Sequence, residues 1–317
     1  MEIKFSIGLP AVKSVFLEDS IKSVLNQSYK NFELIIFNNG AQEEIKKIVD
    51  YFKDDRIKYY ESECEGIIKD WNKCLYKAKG DFFALFSDDD LYDENFLLEI
   101  YNLIKKYPNA PLFKVRTRII NHKGQTINIS SSLAEYETPA DFVWHRIKNN
   151  RLQYAGDFVA KTEALKKIGG FFDFPDAWCS DDATWFTLAN ESGIVCTNKL
   201  LFNYRVSQFT VSNSGKLEKK IDAINHFYDW LKNDFLKKIN LIEKNDMEIL
   251  NLILANLNKR KTINLANTLF SNTRHDYLKY IDVIFQWIRF SQKMNYDIYA
   301  LFYALAQKKV NKSYATK

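Results

Sequence analysis

The segment Phe82-Phe83-Ala84-Leu85-Phe86-Ser87-Asp88-Asp89-Asp90 sets an unbroken apolar run directly against three carboxylic acids. A run without polar alternation is what a strand buried on both faces requires. Such strands belong to sheets covered by helices on either side. The flanking sequence agrees. Upstream, Phe5, Ile7 and Leu9 alternate with small or polar residues, as in a strand, and Pro10 closes it. Leu17, Ile21, Val24 and Leu25 recur at helical spacing. Leu34-Ile35-Ile36-Phe37 is a second short apolar run, ended by Asn38-Asn39-Gly40. Helical patterns cover residues 43–52 and 67–78, with a strand pattern over 56–60 between them. This alternation predicts an α/β fold with a mostly parallel sheet flanked by helices.

Downstream the pattern loosens. A helix is expected over 96–106, before Pro108. Strands are expected within 111–130, joined at His122-Lys123-Gly124, and another at 158–161. A short helix then leads to Gly169-Gly170. Beyond Ser214 the strand signals vanish. Ile221, Ile224, Phe227, Tyr228 and Leu231 recur at three and four, so residues 216–309 read as several packed helices. The expected division is an α/β domain over 1–215 and an all-α C-terminal domain over 216–317.

Composition bounds the function. The chain has 317 residues, a formal net charge of +5 and 46% hydrophobic residues, which excludes global disorder. No apolar run reaches the ~18 residues of a membrane span. The apolar stretch near the N-terminus is interrupted by Pro10 and Lys13 and lacks a signal-peptide cleavage site, so a cytoplasmic protein is expected. Cys64, Cys74, Cys179 and Cys196 are scattered, without zinc or disulfide spacing. Residues 216–317 hold 18 Lys/Arg and 10 Asp/Glu, against 27 and 30 in the first 215. A basic tail suits an anionic membrane surface, or a solvated face or dimer surface. The interspersed acids argue against nucleic acid.

Ligands of open α/β sheets bind outside the carboxyl ends of the strands. Three polar clusters fall at such ends: the turn after Leu9, Asn38-Asn39-Gly40, and Asp88-Asp89-Asp90. Adjacent carboxylates repel unless a cation sits among them, and hard divalent cations prefer carboxylate oxygen. The plainer reading is an acidic cap on the following helix. A second pair, Asp181-Asp182, lies between Trp178 and Trp185. It fits a helix cap or a general base between aromatic walls that stack on a sugar.

In order and spacing these segments resemble the family 2 glycosyltransferases of the GT-A fold, a Rossmann-like α/β architecture. The family's first strand ends Pro-Thr-Tyr-Asn, here Pro10-Ala11-Val12-Lys13. Ser23-Val24-Leu25-Asn26-Gln27-Ser28-Tyr29 matches its first helix ending, and Phe37-Asn38-Asn39-Gly40-Ala41 its Val-Asp-Asp/Asn-Gly-Ser turn. Asn72 with Ala78-Lys79-Gly80 matches the segment before the metal strand. Ser87-Asp88-Asp89-Asp90 matches the aspartate motif, Ile168-Gly169-Gly170-Phe171 the Gly-Gly-Phe, and Tyr204-Arg205 a late Tyr-Arg. The resemblance covers residues 3–205. It implies transfer of one sugar from a nucleotide-diphosphate sugar, with inversion, to a hydroxyl of a glycan or lipid-linked glycan. By the same resemblance, Asp88 and Asp89 hold Mn²⁺ or Mg²⁺. Pro10, Ala11, Val12, Asn38, Asn72 and Asp88 bind the donor. Asp181 is the base, with Asp182 the alternative. Bacterial surface-polysaccharide synthesis, peripheral contact of the basic tail with the inner membrane, and a possible homodimer complete the expectation.

Departures matter. Asn38 stands where the family usually has an aspartate that binds the base, and an amide donates as well as accepts. Uracil is expected, but another base is open. Val12 replaces an aromatic, Trp71 an arginine, and Ser207 a histidine metal ligand. The Gln-x-x-Arg-Trp signature of processive synthases is absent. An idle GT-A scaffold is the main competing reading. A nucleotidyltransferase would need a Gly-rich basic loop after the first strand.

Overall fold

The computed structural model describes residues 2–207, 216–272 and 279–306. The first half alternates as the sequence predicts: β1 (Phe5–Ala11), α1 (Leu17–Leu25), β2 (Phe32–Asn39), α2 (Glu43–Tyr51), β3 (Ile57–Ser62), α3 (Ile67–Lys77) and β4 (Phe82–Leu85). β1 lies between β2 and β4, and β2 pairs with β3, all in parallel. Every residue of β2 and β4 is buried, which is why both read as unbroken runs.

The chain continues through β5 (Leu91–Tyr92), α4 (Phe96–Lys106), β6 (Leu112–Ile120), β7 (Thr126–Ile129), β8 (Tyr136–Glu137), α5 (Pro139–Ile147), β9 (Phe158–Lys161), α6 (Thr162–Lys167), α7 (Ser180–Ala189) and β10 (Ile194–Arg205). The sheet order is β3-β2-β1-β4-β9-β6-β10-β5, with β7 on β6 and β8 on β10. β9 runs antiparallel to both β4 and β6, while β6 and β10 are parallel. The expected mostly parallel sheet therefore describes the β3-β2-β1-β4 half; beyond it the sheet is mixed. The reason is local. A short 3-10 turn, Ala155–Asp157, enters β9 at the carboxyl end of β4, where a Cβ on Gly156 would lie 3.4 Å from the Leu85 carbonyl. A strand that starts beside the carboxyl end of β4 can pair with it only by running back along it.

After residue 216 the described chain is helical: α8 (Leu217–Trp230), a wider π turn over Leu231–Phe235, α9 (Asp246–Ser271), α10 (Lys279–Phe290) and α11 (Ile298–Leu305). One sheet face packs on α1, α2 and α4. The other packs on α3, α5 and α7, and its core runs on without a break into Ile221, Ile224, Phe227 and Leu257 of α8 and α9. Phe186 of α7 meets Phe227 of α8 at 6.2 Å between ring centroids. Thr138 Oγ1, before α5, donates to Asp246 at the start of α9 at 2.7 Å.

The Gly169-Gly170 pair shows why its residue type is required. Gly170 has φ +87°, and a Cβ there would lie 2.3 Å from Asn72 Oδ1. That oxygen accepts the Phe171 N–H at 2.9 Å. Gly170→Ala is expected to break this bond and strain the backbone. The backbone strain alone is worth about 1–3 kcal/mol, and urea unfolding should show a loss of at least that size; an unchanged midpoint would refute it.

Candidate active site

The acidic turn follows β4 and is held from three directions. Asp88 Oδ2 accepts the backbone N–H groups of Val12 and Lys13, both at 2.8 Å, which ties the end of β4 to the turn after β1. Lys13 Nζ lies 3.9 Å from Asp88 Oδ1 and 3.6 Å from Asp89 Oδ2. At the end of β10, Arg205 donates from its backbone N–H to Asp90 Oδ1 at 2.8 Å, and from Nε to the Asp89 carbonyl at 2.7 Å. Its guanidinium lies over the Phe16 ring at 4.3 Å. Burial pushes Asp88 up to about 6, while Lys13 pulls it down. Burial raises Asp89 and Asp90 too, and the Asp89 charge adds to Asp90. A cluster whose carboxylates resist ionisation gains most from an arriving cation.

The turn opens on a cavity of about 720 Å³, within the range of small-molecule and cofactor sites. Pro10, Val12, Asp88, Asp89, Asp181 and Asp182 all line it. Three other residues expected at the donor site do not. Ala11 is buried within β1. Asn38 Nδ2 donates to the Gln42 carbonyl at 2.8 Å and to Tyr59 Oη at 2.9 Å, and its Oδ1 accepts the Gln42 N–H at 2.9 Å. Its amide therefore fixes the start of α2. Asn72 holds the Phe171 N–H instead. It is an adjacent residue in each case, Asn39 after Asn38 and Trp71 before Asn72, that lines the cavity. Asn39 Oδ1 accepts from Ser62 Oγ at 2.9 Å, while its buried Nδ2 has no hydrogen-bond partner among the described residues.

The second carboxylate pair opens α7. Asp176, Ala177 and Cys179 adopt left-handed φ values of 52°, 58° and 65°. This conformation is costly away from glycine, and it clusters at functional sites. Asp182 is buried and takes both its oxygens to Arg146 of α5, at 2.7 Å to Nε and 2.7 Å to Nη2. Asp181 is half-buried, and among the described residues its side chain has no such arginine partner. Burial and then the Asp182 charge push it up to about 7, against the pull of Arg146. A carboxylate poised near neutrality is suited to general-base work.

Of the two expected aromatic walls, Trp178 lines the cavity. Trp185 is in the core, stacked on Phe158 at 4.9 Å. The far wall comes from the C-terminal helices. Lys220 of α8 lies over the Trp178 ring at 4.8 Å, and Tyr228 Oη accepts from Asn264 Nδ2 at 2.9 Å. Lys220, Tyr228 and Asn264 all line the cavity.

The structure thus places an acidic turn, an arginine-backed carboxylate pair and an aromatic wall around one cavity at the carboxyl ends of the strands. The family model of glycosyl transferase family 2 matches residues 6–169. The chain belongs to glycosyl transferase family 2. An uncharacterized glycosyltransferase of Rickettsia bellii is 35% identical over 96 residues, which are 30% of this chain and 14% of that protein. The UDP-Glc:alpha-D-GlcNAc-diphosphoundecaprenol beta-1,3-glucosyltransferase of Escherichia coli is 24% identical over 216 residues, 66% of this chain and 80% of the relative. Among solved structures, S. aureus TarS 1–349 in complex with UDP-GlcNAc has a TM-score of 0.65 at 14% identity, over 97% of this chain and 93% of that one. That likeness establishes the GT-A fold of this family member.

Proposed function

We propose that this protein transfers a single sugar from a UDP-sugar, with inversion, to a hydroxyl of a lipid-linked glycan during bacterial surface-polysaccharide synthesis. The observation that carries the reading is one cavity holding both a desolvated acidic turn and a near-neutral carboxylate, Asp181. The E. coli relative's UDP-Glc donor and diphosphoundecaprenol acceptor, and the UDP-GlcNAc bound to TarS, support the choice of substrates. We place the enzyme in the cytoplasm, at the inner membrane face that carries such acceptors. Among the described residues no helix is long and apolar enough to cross a membrane.

The roles follow from the chemistry. Asp181 takes the proton of the acceptor hydroxyl as that oxygen attacks the anomeric carbon from the side opposite the leaving diphosphate. A single displacement of this kind inverts the centre. Asp182, tied to Arg146, holds the start of α7 and keeps a negative charge beside the base. Asn39 offers its unpartnered Nδ2 to a carbonyl of the nucleotide base, the role expected of Asn38.

The acidic turn offers a divalent cation the carboxylates of Asp88 and Asp89. No group of three metal-ligating side chains occurs among the described residues. The described residues thus form no closed protein cage, but cations of the Mg²⁺ class commonly take one or two carboxylates and complete their shell with substrate phosphates. The crowded, desolvated pair Asp88 and Asp89 fits that pattern, and these two would hold Mn²⁺ or Mg²⁺. When bound, the cation supplies electrostatic stabilisation of the leaving diphosphate. Lys13, within 4 Å of both carboxylates, would turn toward the phosphates.

A thermal-shift panel of nucleoside diphosphates with and without Mn²⁺ tests the reading. A ligand at ~100 times its Kd adds roughly 2.7 kcal/mol to stability. A UDP shift that needs Mn²⁺ and is lost in Asp89→Ala is expected. A shift with GDP alone would overturn the choice of base. No shift with any nucleotide would leave the idle-scaffold reading in its place.

A further inference from the structure

Among the described residues, α10 and α11 each pack one face on the core. Val283 of α10 is buried and Trp287 Nε1 donates to the Asp297 carbonyl at 2.9 Å. Ala300 and Ala304 of α11 are buried against the same core. The opposite faces carry large apolar side chains into solvent. On α10 they are Ile281, Ile284, Phe285 and Ile288, spaced at i, i+3, i+4 and i+7 along one stripe. On α11 they are Ile298, Tyr299, Phe302 and Tyr303. Phe285 and Tyr299 are each 67% exposed. Scattered exposed apolar residues need no explanation, but a contiguous pair of stripes marks an interaction surface.

Charge selects the occupant. Residues 279–317 contain seven Lys/Arg and two Asp/Glu. A second copy of the chain would bring the same positive segment against itself. An anionic lipid surface offers both complements at once, an acyl boundary for the aromatic and aliphatic stripe and negative headgroups for the lysines that follow α11 in sequence, Lys308, Lys309, Lys312 and Lys317. An apolar stripe with basic flanks is the make-up of helices that lie in the plane of a membrane. We propose that the exposed faces of α10 and α11 dock this protein on an anionic lipid bilayer, with Phe285, Ile288, Tyr299 and Phe302 entering the interface. The inference adds a named surface and a lipid charge to the inner-membrane placement above. Its test needs no transfer reaction, so it can fail while the transferase reading stands, and the reverse.

The experiment is flotation of the full chain with vesicles containing phosphatidylglycerol and with vesicles of phosphatidylcholine alone, at low and high salt. Wild type is expected to float with the anionic vesicles and to be released by salt, since headgroup attraction is screened. Phe285→Ser/Ile288→Ser should lower the bound fraction by about tenfold or more, because binding scales with the apolar area that enters the interface. These positions are exposed, and an unchanged melting temperature in the variant checks its fold. Tyr299→Ser/Phe302→Ser gives an independent second variant. Failure of wild type to float with anionic vesicles, or equal flotation of wild type and both variants, would overturn the proposal. So would a wild-type dimer that Phe285→Ser/Ile288→Ser dissociates without any vesicle binding, since the stripe would then belong to a second copy.

Discussion

Asp181→Asn is expected to lower kcat for sugar transfer by about 10²–10⁴, the usual worth of a placed general base. Nucleotide affinity should stay within about twofold of wild type, because the residue acts on the acceptor's proton. The geometry separates it from its neighbour. Asp182 has both oxygens engaged by Arg146, so its lone pairs are spent on a cation. Asp181 keeps its carboxylate open to the cavity, with burial and the Asp182 charge raising it to about 7. The base must be ionised to act, so kcat/KM should fall about tenfold per pH unit below about 7. Asp182→Asn removes a like charge from beside Asp181 and frees Arg146 to approach it. Both changes favour ionisation, so this limb should move to lower pH while substantial activity remains at neutrality. Asp182→Asn abolishing transfer while Asp181→Asn preserves it would reverse the assignment.

The parts of the fold legible in the sequence are those where burial writes an unbroken pattern. β2 and β4 are buried throughout, and α1 to α4 alternate with strands, so residues 5–106 read directly except for the two-residue β5, Leu91–Tyr92, which is too short to show a pattern. β10 could not. Thr197-Asn198-Lys199 interrupts its apolar run, and the strand shifts register between Cys196 and Phe202 to carry them. α5 was also unread, although Thr138 before Pro139 is a helix-start signal; the Thr138 side chain does accept the Asp141 N–H at 3.2 Å. The site divides the same way. Asp88, Asp89, Asp181 and Asp182 stand out as carboxylate pairs. Asn38 and Asn39 sit in a strand buried on both faces, so no alternation says which of them lines the cavity. Arg146 and Lys220 reach the cavity only through tertiary packing, 36 residues from Asp182 in one case and from outside the resembling segment in the other. No local spacing announces either. Lys13 lies in a turn marked as a polar cluster, but its approach to the acidic turn is a property of neighbouring parallel strands.

Lys114→Met should be the most destabilising single change on the β6–β9 seam, at about 3–5 kcal/mol, the cost of leaving one buried charge without its partner. Lys114 of β6 and Asp157, at the entry to β9, form an ion pair with side chains 3% and 0% exposed. Thr117 Oγ1 donates to the same carboxylate oxygen at 2.8 Å, and the Lys114 ammonium lies over the Phe158 ring at 4.5 Å. Burial already raises Asp157, and Lys114 is the largest force pulling it back. Without the lysine, the carboxyl in the folded protein rises further above its unfolded value. A group raised in this direction keeps more protons when folded, so stability is lost as pH increases. The deficit of Lys114→Met should therefore be greatest at neutral and alkaline pH and shrink on acidification, as Asp157 takes up its proton. Denaturant titrations across that range check both size and sign; a deficit independent of pH would mean that lost packing, not the stranded charge, sets the cost. Pairing Lys114→Met with Asp157→Leu removes both charges at once and should restore most of the loss, since an apolar pair of similar volume often replaces a buried ion pair without penalty. The neighbouring Ala155 and Gly156 line the cavity. Recovery of stability in the double variant, measured beside its transferase activity, would show whether this seam serves the fold alone or also holds the wall of the site.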